Sequence, residues 1–248
     1  MVHVIKNIPI EENHKVTDIS KKILMKYGGP EEYLTDKYPS DYFSYFIDIG
    51  TRGIFNPWHI NHIAANNPNM LCLGYEPDYP FYEELIQEVE RRKLSNVNIH
   101  PEGFGTGERI ATPQGRSLTV TLKDIFEKYK LDPALLWMFK IDAEGAEYAL
   151  LKDECRDCVK ILQQADHIAI EFHTSEHPYG NFFTAAYNLP SSFEVGENWL
   201  HNTFEDTHTI LLTSAEPGLK TYVLLSDRII TDAKNLFWKD LLNWQAWE

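Results

Sequence analysis

Phe46-Ile47-Asp48-Ile49-Gly50-Thr51-Arg52-Gly53 and Phe139-Lys140-Ile141-Asp142-Ala143-Glu144-Gly145-Ala146-Glu147 are the two stretches that decide the fold. In each, an apolar run of β type stops at an aspartate and passes into a glycine-containing turn. α/β proteins build ligand crevices in this way, at the carboxyl ends of parallel strands. Asp48 narrows the choice of ligand. A dinucleotide-binding turn sets glycines and a helix N-terminus against a pyrophosphate, which a carboxylate would repel. Asp48 suits instead a ligand with a positive end and no phosphate.

Outward from these stretches, strands and helices alternate. Tyr42–Ile49, Met70–Tyr75, Asn96–His100, Leu136–Ile141 and His167–Phe172 read as strands, the last two nearly continuous in apolar residues, as central parallel strands covered on both faces are. Val16–Tyr27, Pro57–Asn66, Tyr79–Leu94 and Thr119–Tyr129 read as helices, with Pro57 tolerated in a first turn. Thr207–Thr213 and Lys220–Ser226 flank the turn sequence Ala215-Glu216-Pro217-Gly218 and form an antiparallel hairpin. The expected fold is α/β and Rossmann-like: a mostly parallel seven-stranded sheet with a C-terminal antiparallel hairpin and helices on both faces. The chain divides into an N-terminal helical segment (1–41), a cofactor-binding core (42–173), a substrate-side insertion (174–206) and a terminal hairpin and helix (207–248). The insertion carries Tyr179, Phe182, Phe183, Tyr187, Phe193 and Trp199, and a connection this long and aromatic is expected to fold as a cap. Trp238, Trp244 and Trp247 lie in an apolar stretch at helical spacing, expected to be a docked terminal helix rather than a dimer face.

Composition excludes several function classes. The 248 residues suffice for one large α/β domain with a sizeable core. A formal net charge of −14 repels phosphate backbones, so nucleic acid is not an expected partner. Arg91-Arg92-Lys93, the densest basic cluster, falls where a helix ends and cations favour the dipole. No stretch approaches the ~20 apolar residues of a membrane span, and the N-terminus lacks a long apolar signal core. The expectation is a cytoplasmic protein with no membrane partner. Cys155 and Cys158 form a Cys-x-x-Cys without a second pair, and with Cys72 they read as reduced bystander thiols rather than a zinc site.

The order Phe-Ile-Asp-Ile-Gly, Gly-Tyr-Glu-Pro, Thr-Val-Thr-Leu-Lys-Asp, Lys-Ile-Asp-Ala-Glu-Gly-Ala-Glu and Ile-Ala-Ile-Glu-Phe-His resembles the FkbM family of methyltransferases over approximately Tyr42 to His173. The resemblance implies the class I methyltransferase fold, S-adenosylmethionine as cofactor, and methylation of a hydroxyl on a small acceptor such as a sugar, glycoside or natural product. It also implies that Asp48, Gly50, Thr51 and Gly53 surround the methionine part of the cofactor. Glycines allow close backbone approach, and a carboxylate can meet an ammonium. Glu76, closing the second strand, can accept from both ribose hydroxyls, and Gly103 is a candidate on the adenine side. The turn departs from the family pattern, with Ile54 where the last glycine normally falls and Arg52 at a usually small or amide position. That departure sustains a second reading, a non-catalytic S-adenosylmethionine-binding module. A nicotinamide-dependent oxidoreductase is disfavoured by Asp48 and by the absence of a Gly-x-Gly-x-x-Gly run.

Asp142 ends the fourth strand, and Glu171 and His173 share one face at the end of the fifth. They could hold a divalent cation that lowers the pKa of an acceptor hydroxyl. Alternatively, His173 or Asp142 is a general base that Glu171 orients. The metal-free base is the expectation, because no additional ligands are visible. Glu144 and Glu147 fall in the first turn of a helix, where acids stabilise the dipole. Glu144 remains a candidate for the site, Glu147 is expected to be structural, and His59 and His62 are expected to be ordinary helix residues.

Overall fold

In a computed structural model, described for residues 38–51, 60–112, 115–174, 176 and 192–232, the chain forms two sheets. The larger contains β1 (Tyr45–Ile49), β2 (Leu71–Tyr75), β3 (Val97–His100), β7 (Trp137–Ile141), β8 (His167–His173), β9 (His208–Glu216) and β10 (Leu219–Ser226). Its order is β3-β2-β1-β7-β8-β10-β9, and β10 alone runs against the other six. The expected Rossmann-like fold, mostly parallel with a terminal antiparallel hairpin, is therefore present. The order reverses between β1 and β7, and that reversal opens a crevice at the carboxyl ends of the two strands.

Strand alternation sends the sheet's side chains into two cores. Tyr45, Ile47, Ile49, Trp137, Phe139, Ile141, Ile168, Ile170 and Phe172 pack on one face, under α3 (Leu122–Tyr129), α4 (Arg156–Leu162) and α5 (Phe193–Phe204). Phe46, Met138 and Ala169 pack on the other, under α1 (Ile60–Asn66), α2 (Tyr79–Arg92) and α6 (Asp227–Thr231). Asp48, Lys140 and Glu171 continue this second face towards the strand ends, where apolar packing gives way to charge. Among the described residues no helix is long and apolar enough to cross a membrane.

Three features depart from the sequence expectation. A small sheet, β4 (Gly103–Phe104), β5 (Arg109–Thr112) and β6 (Gly115–Val120), stands between β3 and α3. The helix expected from Thr119 therefore starts at Leu122, because Thr119 and Val120 belong to β6. Thr121 caps the helix: its hydroxyl accepts from the Asp124 N–H while the Asp124 carboxylate accepts from the Thr121 N–H. The last part of the expected substrate-side stretch is α5, a crossover helix whose Leu200 and Phe204 are fully buried, with Phe193 and Trp199 packed against the same core. Those aromatics serve the core first. Tyr179, Phe182, Phe183 and Tyr187 lie outside the described residues, as do the expected helices at Val16–Tyr27 and at the end of the chain.

His167, at the start of β8, is buried against Tyr38, whose hydroxyl lies 3.1 Å from its Nδ1. Burial pushes its pKa down to about 3. An imidazole depressed below its unfolded value costs nothing above about pH 6.5, and it draws stability down as the pH falls from there towards 3. Urea unfolding across pH 7 to 4 should show this loss, with a shallower acid limb in His167→Leu than in the parent. Parallel acid limbs in the two proteins would contradict it.

Candidate active site

Asp48 lies on β1 directly opposite Gly74 of β2 and Lys140 of β7. It is completely buried, and among the described residues neither of its carboxylate oxygens has a hydrogen-bond partner. Among the described residues Lys140 is paired with it, with Nζ 3.6 Å from Asp48 Oδ1 and 3.4 Å from Asp142 Oδ2. A carboxylate removed from water without hydrogen bonds is costly, and one ammonium beyond hydrogen-bond distance offsets only part of that cost. Such a group is poised for a cation.

The turn after β1 is built around Gly50. Its φ of +77° lies in the left-handed region, and a Cβ there would sit 1.7 Å from the Asp142 carbonyl oxygen. The Asp142 N–H in turn donates to the Ile49 carbonyl at 3.0 Å, so the tips of β1 and β7 are stitched together where the chain leaves both strands. Thr51 is buried and donates its hydroxyl to the Asp48 carbonyl. Glu76 is buried just beyond β2, where its Oε1 accepts from the Asp78 N–H at the start of α2. Gly103 opens β4 beyond β3. Gly53, Arg52, Ile54 and His59 lie outside the described residues. His62 is an ordinary residue of α1, its Nε2 2.9 Å from the Asn66 amide nitrogen.

The second half of the crevice is a carboxylate cluster around one imidazole. His173, at the end of β8, has its Nε2 3.2 Å from Glu171 Oε1, 3.6 Å from Glu144 Oε2 and 3.7 Å from Asp142 Oδ1. On the other side of the ring, Nδ1 lies 3.1 Å from Glu147 Oε1. The same oxygen accepts from the His173 backbone N–H at 2.7 Å, and Glu147 Oε2 accepts from the Gly145 N–H at 2.9 Å. The carboxylate that anchors the ring is thus Glu147, where the sequence reading gave the orienting role to Glu171. Glu171 instead faces Nε2, and its Oε2 accepts from the Thr221 hydroxyl of β10.

Local backbone explains how residues so close in sequence converge. Glu144 (φ +52°) and Gly145 (φ +102°) are both left-handed, which turns the chain back over the sheet. The 3₁₀ turn Ala146–Leu151 that follows carries Glu147 under β8. Burial alone would pull His173 down, but the hydrogen-bonded carboxylates of Glu147 and Glu171, with Asp142 nearby, hold its pKa up at about 11.

Lys140 and Glu147 are the parts of this site that the sequence reading left without a functional role, and Glu144, a candidate there, faces His173 Nε2. Lys140 had a usable signal, since a residue two positions before Asp142 on a strand shares its face. Glu147 had none, because an acid in the first turn of a helix is unremarkable. Cys72, Cys155 and Cys158 are buried free thiols.

No protein-family model matches the chain. No curated protein matches it. Solved structures do. A SAM-dependent methyltransferase from Aquifex aeolicus is 12% identical, with 86% of this chain and 96% of that one covered and a TM-score of 0.41. An rRNA methylase from Streptococcus thermophilus is 12% identical over 89% and 97% of the two chains, at 0.44. A precorrin-6y C5,15-methyltransferase from Geobacter metallireducens is 8% identical over 77% and 86%, at 0.43. At these scores the likenesses assign neither activity nor substrate to this chain, and its fold is given by its own strand order.

Replacing Gly50 by alanine should cost at least ~1–3 kcal/mol of stability from the left-handed backbone alone, with the Asp142 clash added to it. Urea unfolding measures this, and a loss below about 0.5 kcal/mol would contradict the close approach of the two strand tips.

Proposed function

We propose that the chain is an S-adenosylmethionine-dependent O-methyltransferase acting on a hydroxyl of a small acceptor, a sugar, glycoside or natural product, as the FkbM resemblance suggests. The observation that carries this reading is Asp48: a buried carboxylate without hydrogen bonds among the described residues, at the carboxyl end of the first strand, beside the switch in strand order. The cofactor fits the residues present. Its ammonium would meet Asp48, its ribose hydroxyls Glu76, and the turn at Gly50 and Thr51 would flank its methionine part. When bound, it supplies a methyl group activated by a sulfonium, and it leaves as the neutral thioether.

The residues around it have distinct tasks. Lys140 holds Asp48 and Asp142 in register across β1 and β7, so the carboxylate facing the cofactor and the one facing the acceptor are set by one side chain. Asp142 is the most open of the acids around His173, its side chain 27% exposed against 1% for the imidazole. The acceptor hydroxyl therefore meets Asp142 first, and its proton leaves to that carboxylate. His173, anchored by Glu147, positions Asp142 and Glu171. Of the two candidate bases this selects Asp142, because a ring enclosed by acids offers no open face to an acceptor. Alignment carries most of the rate enhancement in such an in-line displacement.

Transfer of a labelled methyl group from S-adenosylmethionine to a panel of sugars and glycosides tests the reading. Asp142→Asn should lower kcat by about 10²–10⁴ while leaving S-adenosylhomocysteine affinity nearly unchanged. Cofactor binding without transfer to any hydroxylated acceptor would leave the binding-module reading in its place.

A further inference from the structure

We propose that Asp142, Glu171 and His173 form a divalent-cation site, with Glu144 as an adjoining carboxylate ligand. Donor atoms of the first three lie within 4.8 Å of one another. The imidazole Nε2 is the common vertex, with carboxylate oxygens at 3.2, 3.6 and 3.7 Å. Taken as edges of an octahedron, those separations correspond to metal–ligand bonds of about 2.3–2.6 Å, so a contraction of a few tenths of an ångström reaches the range of a small dication.

An acidic surface patch would not have these properties. The nitrogen donor belongs to a ring that is almost wholly buried, and that ring is fixed from behind by a residue outside the donor set. Glu147, itself fully buried, binds both Nδ1 and the backbone N–H of His173. A metal-ligating histidine is held in this way: its other nitrogen donates to a carboxylate, which sets the tautomer and turns the lone pair of the ligating nitrogen to the ion. The Glu147 carboxylate is fixed in turn by the Gly145 N–H, and Glu171 by the Thr221 hydroxyl. Every donor in the cluster therefore comes from a strand end or from the turn locked onto it.

Donor chemistry narrows the ion. One imidazole with two or three carboxylates suits a first-row dication such as Mn²⁺ better than Ca²⁺, which takes oxygen ligands throughout. In the crevice, such an ion would hold the acceptor oxygen and lower the pKa of its hydroxyl, with Asp142 Oδ2 beside Lys140 remaining the proton acceptor. The sequence alone favoured a metal-free base because it displayed three donors; the turn at Glu144-Gly145 adds a fourth and the anchor behind the ring.

The cation site does not depend on the methyl-transfer reading, and one experiment separates them. Chelator-treated protein is titrated with Mn²⁺, free ion being followed by electron paramagnetic resonance, and S-adenosylhomocysteine binding is measured calorimetrically on the same samples. One Mn²⁺ should bind per chain, at least tenfold more weakly in Glu171→Gln and in His173→Gln, and unchanged in Glu88→Gln, which removes an acid on the exposed side of α2. Mn²⁺ should also raise the unfolding temperature of the parent and not that of Glu171→Gln, a readout that stands if His173→Gln fails to fold. Equal Mn²⁺ affinity in the parent and Glu171→Gln, or no saturable binding in the parent, would overturn the cation site. Loss of S-adenosylhomocysteine binding with Mn²⁺ binding intact would overturn the cofactor reading alone.

Discussion

Burying Asp48 is the constraint on which the rest of the crevice depends. A carboxylate without hydrogen bonds at the heart of a parallel sheet is stable only if positive charge comes to it. The protein brings Lys140 to within 3.6 Å, from the strand beside it and in the same register. Because Lys140 also reaches Asp142, the demand for charge on β1 fixes the position of the acid on β7. Gly50 makes the arrangement possible, since any side chain at that position would strike the Asp142 carbonyl.

Two kinds of charge problem stand side by side in this crevice, and the fold handles them differently. Around Asp48 the described residues set one lysine beside one buried acid. Around His173 several acids converge on one ring, with a further acid locked behind it. The first arises from the switch in strand order, the second from the left-handed pair Glu144-Gly145 that folds the chain back over β8. Lys140 is the physical link between them.

The sequence made the strand-end residues legible, for a physical reason. Apolar runs that stop at an acid leave little freedom in where that acid points, so Asp48, Asp142, Glu171 and His173 could be named from their places on β1, β7 and β8. The succession of strands along the chain and the final hairpin followed from the same patterning. Glu147 was not legible, because its partner is a ring 26 residues away, brought close only by a turn in the left-handed region. The small sheet β4–β6–β5 was missed because its strands are short and Thr119 and Val120 adjoin a helical pattern. α5 was taken for substrate-side material because aromatic residues look alike in a pocket and in a core; burial of Phe204 and Leu200 tells them apart.

Calorimetric titration of the parent and of Asp48→Asn with S-adenosylhomocysteine, alongside NADH, tests whether Asp48 receives an organic cation without a phosphate. Saturable binding of S-adenosylhomocysteine to the parent is expected, with its loss in Asp48→Asn and no binding of NADH to either. Undiminished binding in Asp48→Asn, or NADH binding to the parent, would contradict it.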